Sequence, residues 1–139
     1  MTPQQIQLVQ SSFKQVAPHA MQAAAMFYGR LFDVAPEVRP MFKGDLSEQG
    51  RKLMSVLAVV VNGLTDLDKV VPAAKSLAVK HVAYGVEARH YQPVGEALVW
   101  TLQTALGDRF DPPTRDAWVA AYATLSGVMI AEAYGPVAA

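Results

Sequence analysis

The sequence predicts an all-α fold of about seven or eight helices. Apolar residues recur at three- and four-residue spacing almost throughout the chain. No run shows the two-residue alternation of a half-buried strand. Prolines stand at the starts of periodic runs and glycines at their ends, which is the asymmetry that helix boundaries require.

The elements follow in order. Thr2-Pro3 reads as an N-cap with proline at the first helical position, and Ile6, Val9, Phe13 and Val16 form the stripe behind it. Pro18 interrupts. A second helix carries Ala20, Ala24, Phe27, Tyr28, Leu31 and Phe32. Pro36 and Pro40 confine the next piece to a short helical turn that ends near Phe42. Lys43-Gly44-Asp45 reads as loop, and Ser47 as the cap of a long amphipathic helix with Leu53, Val56, Leu57, Val60, Val61 and Leu64 on one face.

Thr65 to Asp68 breaks that run. Val70 to Lys80 reads as a shorter helix, with Pro72 early enough to be tolerated. Gly85 and the charged segment to Arg89 form a corner. Pro93, Val94, Ala97, Leu98, Thr101, Leu102 and Leu106 make the next helix, ended by Gly107. Pro112-Pro113 starts the last, with Trp118, Tyr122, Leu125 and Met129 on one face.

Composition narrows the function classes. The 139 residues (15.0 kDa) suit a single domain over 1–139. A folded domain of this size buries roughly two-thirds of its unfolded surface, so it needs no staples. Cysteine is absent, which removes disulfides and thiolate metal sites. Lys+Arg and Asp+Glu are both 12, so no basic surface points to nucleic acid. Charged residues reach only 17% while apolar residues reach 52%. That surplus of apolar surface points to an apolar cofactor or partner.

The charge-free stretches Gln15–Gly29 and Ala117–Ala131 fall short of the ~20 apolar residues of a membrane span. Met1-Thr2-Pro3-Gln4-Gln5 lacks a basic start and an apolar core for export. The expectation is a soluble cytoplasmic protein with no membrane insertion.

Among three histidines, His81 has the most suggestive context. Leu77 lies four residues earlier on the same face, and its carbonyl is placed to accept the Nδ1 proton. That bond would leave Nε2 free for a metal, an arrangement common in metal-ligating histidines. A histidine near a helix C-terminus is also favourable as a plain surface residue. The spacing alone leaves both readings open.

An ordered set of residues from about Gln5 to Glu132 resembles the globins. The likeness is to bacterial single-domain haemoglobins, to the haem domain of flavohaemoglobins and to neuroglobin. It is carried by Phe27-Tyr28 with Arg30-Leu31-Phe32, by Pro36 to Phe42, by Gln49 four residues before Leu53, and by Lys80-His81. It continues through Gly85-Val86, Tyr91, Pro93-Val94-Gly95, Leu106-Gly107, Phe110, Ala117-Trp118 and Tyr122.

The resemblance implies a globin fold around a haem b pocket (iron protoporphyrin IX), with His81 as the iron ligand and Phe42 stacked on the haem. Tyr28 and Gln49 are the implied distal hydrogen-bond donors, with Leu53 beside them over the iron. The implied lining is Phe27, Phe42, Leu53, Leu57, Val86, Val94 and Leu98, with Tyr91 on the His81 side. Lys52, Arg51 and Lys80 are the cations near the haem propionates. Because Gln49 stands where a histidine would close the distal side, the iron is expected to be pentacoordinate.

One position departs from the pattern. In flavohaemoglobins a glutamate fifteen residues beyond the matching Trp polarises the iron-bound histidine through the matching Tyr. Ala133 stands there, and Glu132 sits one place earlier, a turn of ~100° on a helix. A His81–Tyr91–Glu132 relay is therefore left open.

The function implied is reversible binding of dioxygen and other diatomic gases such as carbon monoxide and nitric oxide, as a carrier or store. The alternative is a haem redox enzyme, such as a nitric oxide dioxygenase. That enzyme would need an external reductase, since no G-x-G-x-x-G fingerprint is present. A haem-free interaction module is the third reading, and His81 with Phe42 argues against it.

Overall fold

Thr2 opens the first helix, α1 (Pro3–Val16), with a reciprocal cap. The Gln5 N–H donates to Thr2 Oγ1 at 3.1 Å and the Thr2 N–H donates to Gln5 Oε1 at 3.0 Å. The computed structural model describes residues 1–134, and the described residues contain no strand. After a 3₁₀ turn over Ala17–His19 comes α2 (Ala20–Val34). It stops ahead of Pro36, which disfavours helical backbone at Ala35.

The segment Pro36–Met41 is 3₁₀, not α. Pro40 lies inside it and has no N–H to give to a four-residue ladder. Next is α3 (Leu46–Gly63). Asp45, not the expected Ser47, caps it, and its carboxylate accepts the Ser47 N–H at 2.8 Å. The cap lies two residues earlier because the accepting oxygen must reach an N–H in the first turn from outside the helix.

The break after α3 is also shorter than expected. It covers Leu64–Asp66, and α4 runs over Leu67–Ala83. Pro72 is thus inside a helix, where it costs one hydrogen bond. The corner turns at Gly85, whose φ of +90° suits a residue without a Cβ. A 3₁₀ turn over Ala88–His90 is pinned by the Glu87 N–H donating to His90 Nδ1 at 2.9 Å. Then come α5 (Tyr91–Leu106), ended at Gly107 with φ +58°, and α6 (Pro112–Tyr134).

Among the described residues six α-helices, with 3₁₀ turns at four of the five junctions, stand where seven or eight helices were expected. The short helical turn expected to end near Phe42 is present, but Pro36 and Pro40 hold it to a 3₁₀ turn. Among the described residues no helix is long and apolar enough to cross a membrane.

Packing separates the apolar residues into two groups. α2 packs against α3 and α5, and α1 against α6. This larger group holds Val9, Phe13, Phe27, Leu31, Leu98 and Trp118. At the α2–α3 crossing Gly50 meets Ala24, and a Cβ there would lie 2.9 Å from the Ala24 methyl. The smaller group joins α4 to α6 through Ala74, Ala78, Tyr91 and Met129. Partly buried Leu125 touches both groups.

Candidate functional site

The larger group ends in an aromatic cluster. Tyr28, buried in α2, is flanked by Phe27 at 5.2 Å and by Phe42 at 5.3 Å, both edge-on, with Phe32 stacked at 6.1 Å. Edge-to-face contact is the favoured geometry for such rings. Phe42 sits just past the Pro36–Met41 turn and is only partly buried. Burial pushes the Tyr28 phenol up to about 12, so at neutral pH it is a donor.

On α3, Gln49 and Leu53 are one turn apart and half-buried. Leu53 and Leu57 pack on the larger group, as does Val94 from α5. Behind Leu53 and Leu57 lies a small apolar cavity, which Phe27, Leu98, Thr101 and Trp118 also line. Phe27 and Leu98 are buried in the core. Lys52, Arg51 and Lys80 are exposed.

His81 belongs to the second group. It lies two residues before the end of α4, which runs on past Lys80. Its Nδ1 pairs with the Leu77 carbonyl oxygen at 2.7 Å, the i−4 bond that the spacing suggests. With the imidazole neutral, Nδ1–H is the donor and Nε2 keeps its lone pair. Leu77 and Val86 flank it and pack on the Ala74–Tyr91 group. The Tyr91 ring stacks near the His81 ring, with centroids 6.5 Å apart and 24° between planes.

This donor set fits a haem. One imidazole nitrogen is directed and neutral, and the other is free for iron. Phe42, Leu53, Leu57, Val86, Val94 and Leu77 all remain half-buried. Four of them pack on the larger group and two, Leu77 and Val86, on the smaller, and half-covered apolar side chains of this kind are what a flat apolar group would finish covering. Among the described residues no cluster of three His, Asp or Glu side chains offers a competing metal site.

The carboxylate relay does not form. Glu132 reaches Lys75 instead, with Oε2 3.9 Å from Nζ. The buried Tyr91 hydroxyl has no hydrogen-bond partner among the described residues.

Three tyrosines complete the His81 side; Tyr122 stands out in the sequence on the stripe of the last helix, while Tyr84 and Tyr134 do not. Tyr84 lies one turn beyond His81, with ring centroids 6.1 Å apart. The Tyr122 hydroxyl donates to the Tyr91 carbonyl at 2.5 Å, and the Tyr134 hydroxyl donates to the Val86 carbonyl. The i+3 spacing from His81 could have revealed Tyr84. Nothing local could have revealed the hydrogen bonds of Tyr122 and Tyr134, because their partners are backbone carbonyls on a different element.

Comparison with known proteins agrees with this fold. The Globin family model matches residues 25–129. A flavohemoprotein of Vibrio cholerae is 29% identical over 133 residues, covering 94% of this chain and 34% of that protein. A flavohemoprotein of Bordetella parapertussis is likewise 29% identical, covering 94% of this chain and 33% of that one. The chain spans about a third of the length of these curated relatives. Among solved structures, a bacterial globin from Campylobacter jejuni superposes with a TM-score of 0.83 at 26% identity. That match covers 95% of this chain and 96% of that one.

Proposed function

The chain belongs to the globin family, and on that premise we propose that it binds haem b through His81 and holds dioxygen reversibly on the opposite side. Carbon monoxide and nitric oxide would bind at the same place. The observation that carries this reading is the bond from His81 Nδ1 to the Leu77 carbonyl, which frees Nε2 for iron. Bound haem supplies a ferrous iron with one open position.

The chain's own residues supply the rest. Tyr28 and Gln49 are the donors toward a bound gas, and Leu53 keeps water away. Gln49, as an amide, is a poor iron ligand and would not compete with a gas for the iron. Phe42, Val94, Val86, Leu77 and Tyr91 would hold the ring by apolar contact. Lys52, Arg51 and Lys80 are exposed cations that suit the propionates.

The test is a visible spectrum of haem-loaded protein, before and after dithionite and then under carbon monoxide. His81→Ala is expected to lose the Soret band of the bound adduct. His19→Ala, at an exposed turn, is expected to keep it. A normal adduct in His81→Ala overturns the assignment.

A second reading has its own support. The relatives are named flavohemoproteins, and this chain matches about a third of them. A haem unit of that kind, served by an external reductase, would convert nitric oxide and dioxygen to nitrate. Sustained turnover with NADH and a reductase fraction separates this reading from a carrier.

A further inference from the structure

One residue holds Phe42 at both ends of its own backbone. The Phe42 N–H donates to the Arg39 carbonyl at 3.1 Å. The Phe42 carbonyl accepts a hydrogen bond from the Arg39 guanidinium at 3.2 Å. The same guanidinium lies over the Phe32 ring, with its central carbon 5.1 Å from the centroid. Phe32 in turn meets the Phe42 ring edge-on, at 5.4 Å and 68°. Arg39 therefore grips the Phe42 backbone directly and backs its ring through Phe32.

The grip falls where the backbone ladder stops. Phe42 follows the Pro36–Met41 turn, and residues 43–45 after it lie outside any helix. Phe42 is half-buried and Arg39 is exposed, so the grip closes from the solvent side. Arginine suits both contacts, because its planar fork can stack on a ring while an N–H reaches a carbonyl. A lysine ammonium is a compact point charge with no flat face to stack.

We propose that Arg39 is a positioning residue for the haem: it fixes Phe42 in place before the haem arrives. This rests on the reading of Phe42 as a haem contact. Ordering side chains and loops on binding lowers affinity, and a contact fixed beforehand avoids that loss. Arg39 acts through Phe42, not through its own charge on the propionates.

The test measures haem loss from the ferric protein to excess apomyoglobin. The samples are wild type, Arg39→Met, Arg39→Lys, Phe42→Leu and the double variant Arg39→Met/Phe42→Leu. Arg39 is exposed, so its substitution leaves the core untouched. Arg39→Met is expected to lose haem roughly three- to tenfold faster than wild type, and Arg39→Lys to fall between the two. The double variant is expected to match Phe42→Leu, because the grip has no ring left to place. Fluorine NMR of the carbon-monoxide form, labelled with 4-fluorophenylalanine, gives a second readout. Of the five phenylalanine signals, the one that Phe42→Leu deletes is expected to move in Arg39→Met.

Equal haem loss in Arg39→Met and wild type overturns the proposal, and so does an unmoved Phe42 signal. An equal acceleration by Arg39→Met in the Phe42→Leu background overturns it as well, since Arg39 would then act on the haem itself. Wild-type haem loss in Phe42→Leu, beside a Phe42 signal that moves in Arg39→Met, instead removes the haem contact of Phe42 on which the proposal rests.

Discussion

Phe42 meets Tyr28 edge-on, with ring centroids 5.3 Å apart and 68° between the planes. The contact ties the Pro36–Met41 turn to α2 and fixes the Tyr28 ring independently of its hydroxyl. Removing the hydroxyl should therefore leave the packing intact. Tyr28→Phe is expected to release dioxygen at least tenfold faster, about 1.4 kcal/mol of lost stabilisation. Carbon monoxide release should change much less, because that ligand carries little negative charge. Stopped-flow release of both gases decides it. Equal dioxygen rates in wild type and variant would show that the hydroxyl does not face the bound gas.

The same tyrosine predicts a pH response. Its phenol is pushed from the ordinary 10.0 up to about 12 by burial. The donor should stay protonated from pH 7 to 10, and dioxygen release should be flat over that range. Stability should behave differently at higher pH. Between 10 and 12 the folded state holds a proton that the unfolded state has lost, so stability falls as pH rises. The contribution is complete below pH 10 and is gone once pH passes about 12. Burial raises the Tyr122 phenol in the same direction. Denaturant midpoints measured from pH 8 to 12 should fall less steeply in Tyr28→Phe than in wild type.

Much of this was legible in the chain because it rests on local rules. The Thr2-Pro3 cap, the stripe from Leu53 to Leu64, the Gly85 corner and the Gly107 stop each depend on neighbours within a few residues. The bond from His81 to the Leu77 carbonyl is of the same kind. The α-helix count failed where proline left only enough backbone for 3₁₀ turns. The Ser47 cap failed by two residues because Asp45 offers an equally good oxygen nearer the loop. The Glu132–Lys75 pairing needs the register between α4 and α6, which no local pattern contains.

One such long-range contact joins the first and last helices. Trp118 Nε1 donates to Ser12 Oγ at 2.8 Å in the core. The same hydroxyl bonds back to the Leu8 and Val9 carbonyls at 2.7 and 3.0 Å. Ser12→Ala would leave the indole N–H buried without an acceptor. The expected loss is about 1–3 kcal/mol in chemical denaturation at matched haem occupancy. Adding Trp118→Phe removes the orphaned donor, so the double variant should lose less than the two single losses summed. Additive losses would mean that the bond contributes nothing of its own.

Gly95 offers the sharpest steric test. It faces Tyr122 so closely that a Cβ would lie 2.6 Å from Cε2 and 2.9 Å from Cδ2 of the ring. The ring cannot swing away freely, because its hydroxyl holds the Tyr91 carbonyl at 2.5 Å. Alanine in place of a mid-helix glycine normally gains about 0.5–1 kcal/mol. Overpacking of this kind costs about 1–3 kcal/mol, so the clash wins. Gly95→Ala should therefore lower the denaturation midpoint. Gly29→Ala and Gly127→Ala, where a Cβ meets nothing within 4 Å, should raise it. Tyr122→Leu in the Gly95→Ala background makes room for the methyl, and the pair should lose less than the sum of its parts. If Gly95→Ala matched the two exposed positions, α5 and α6 would not approach as closely as the 2.6 Å contact requires.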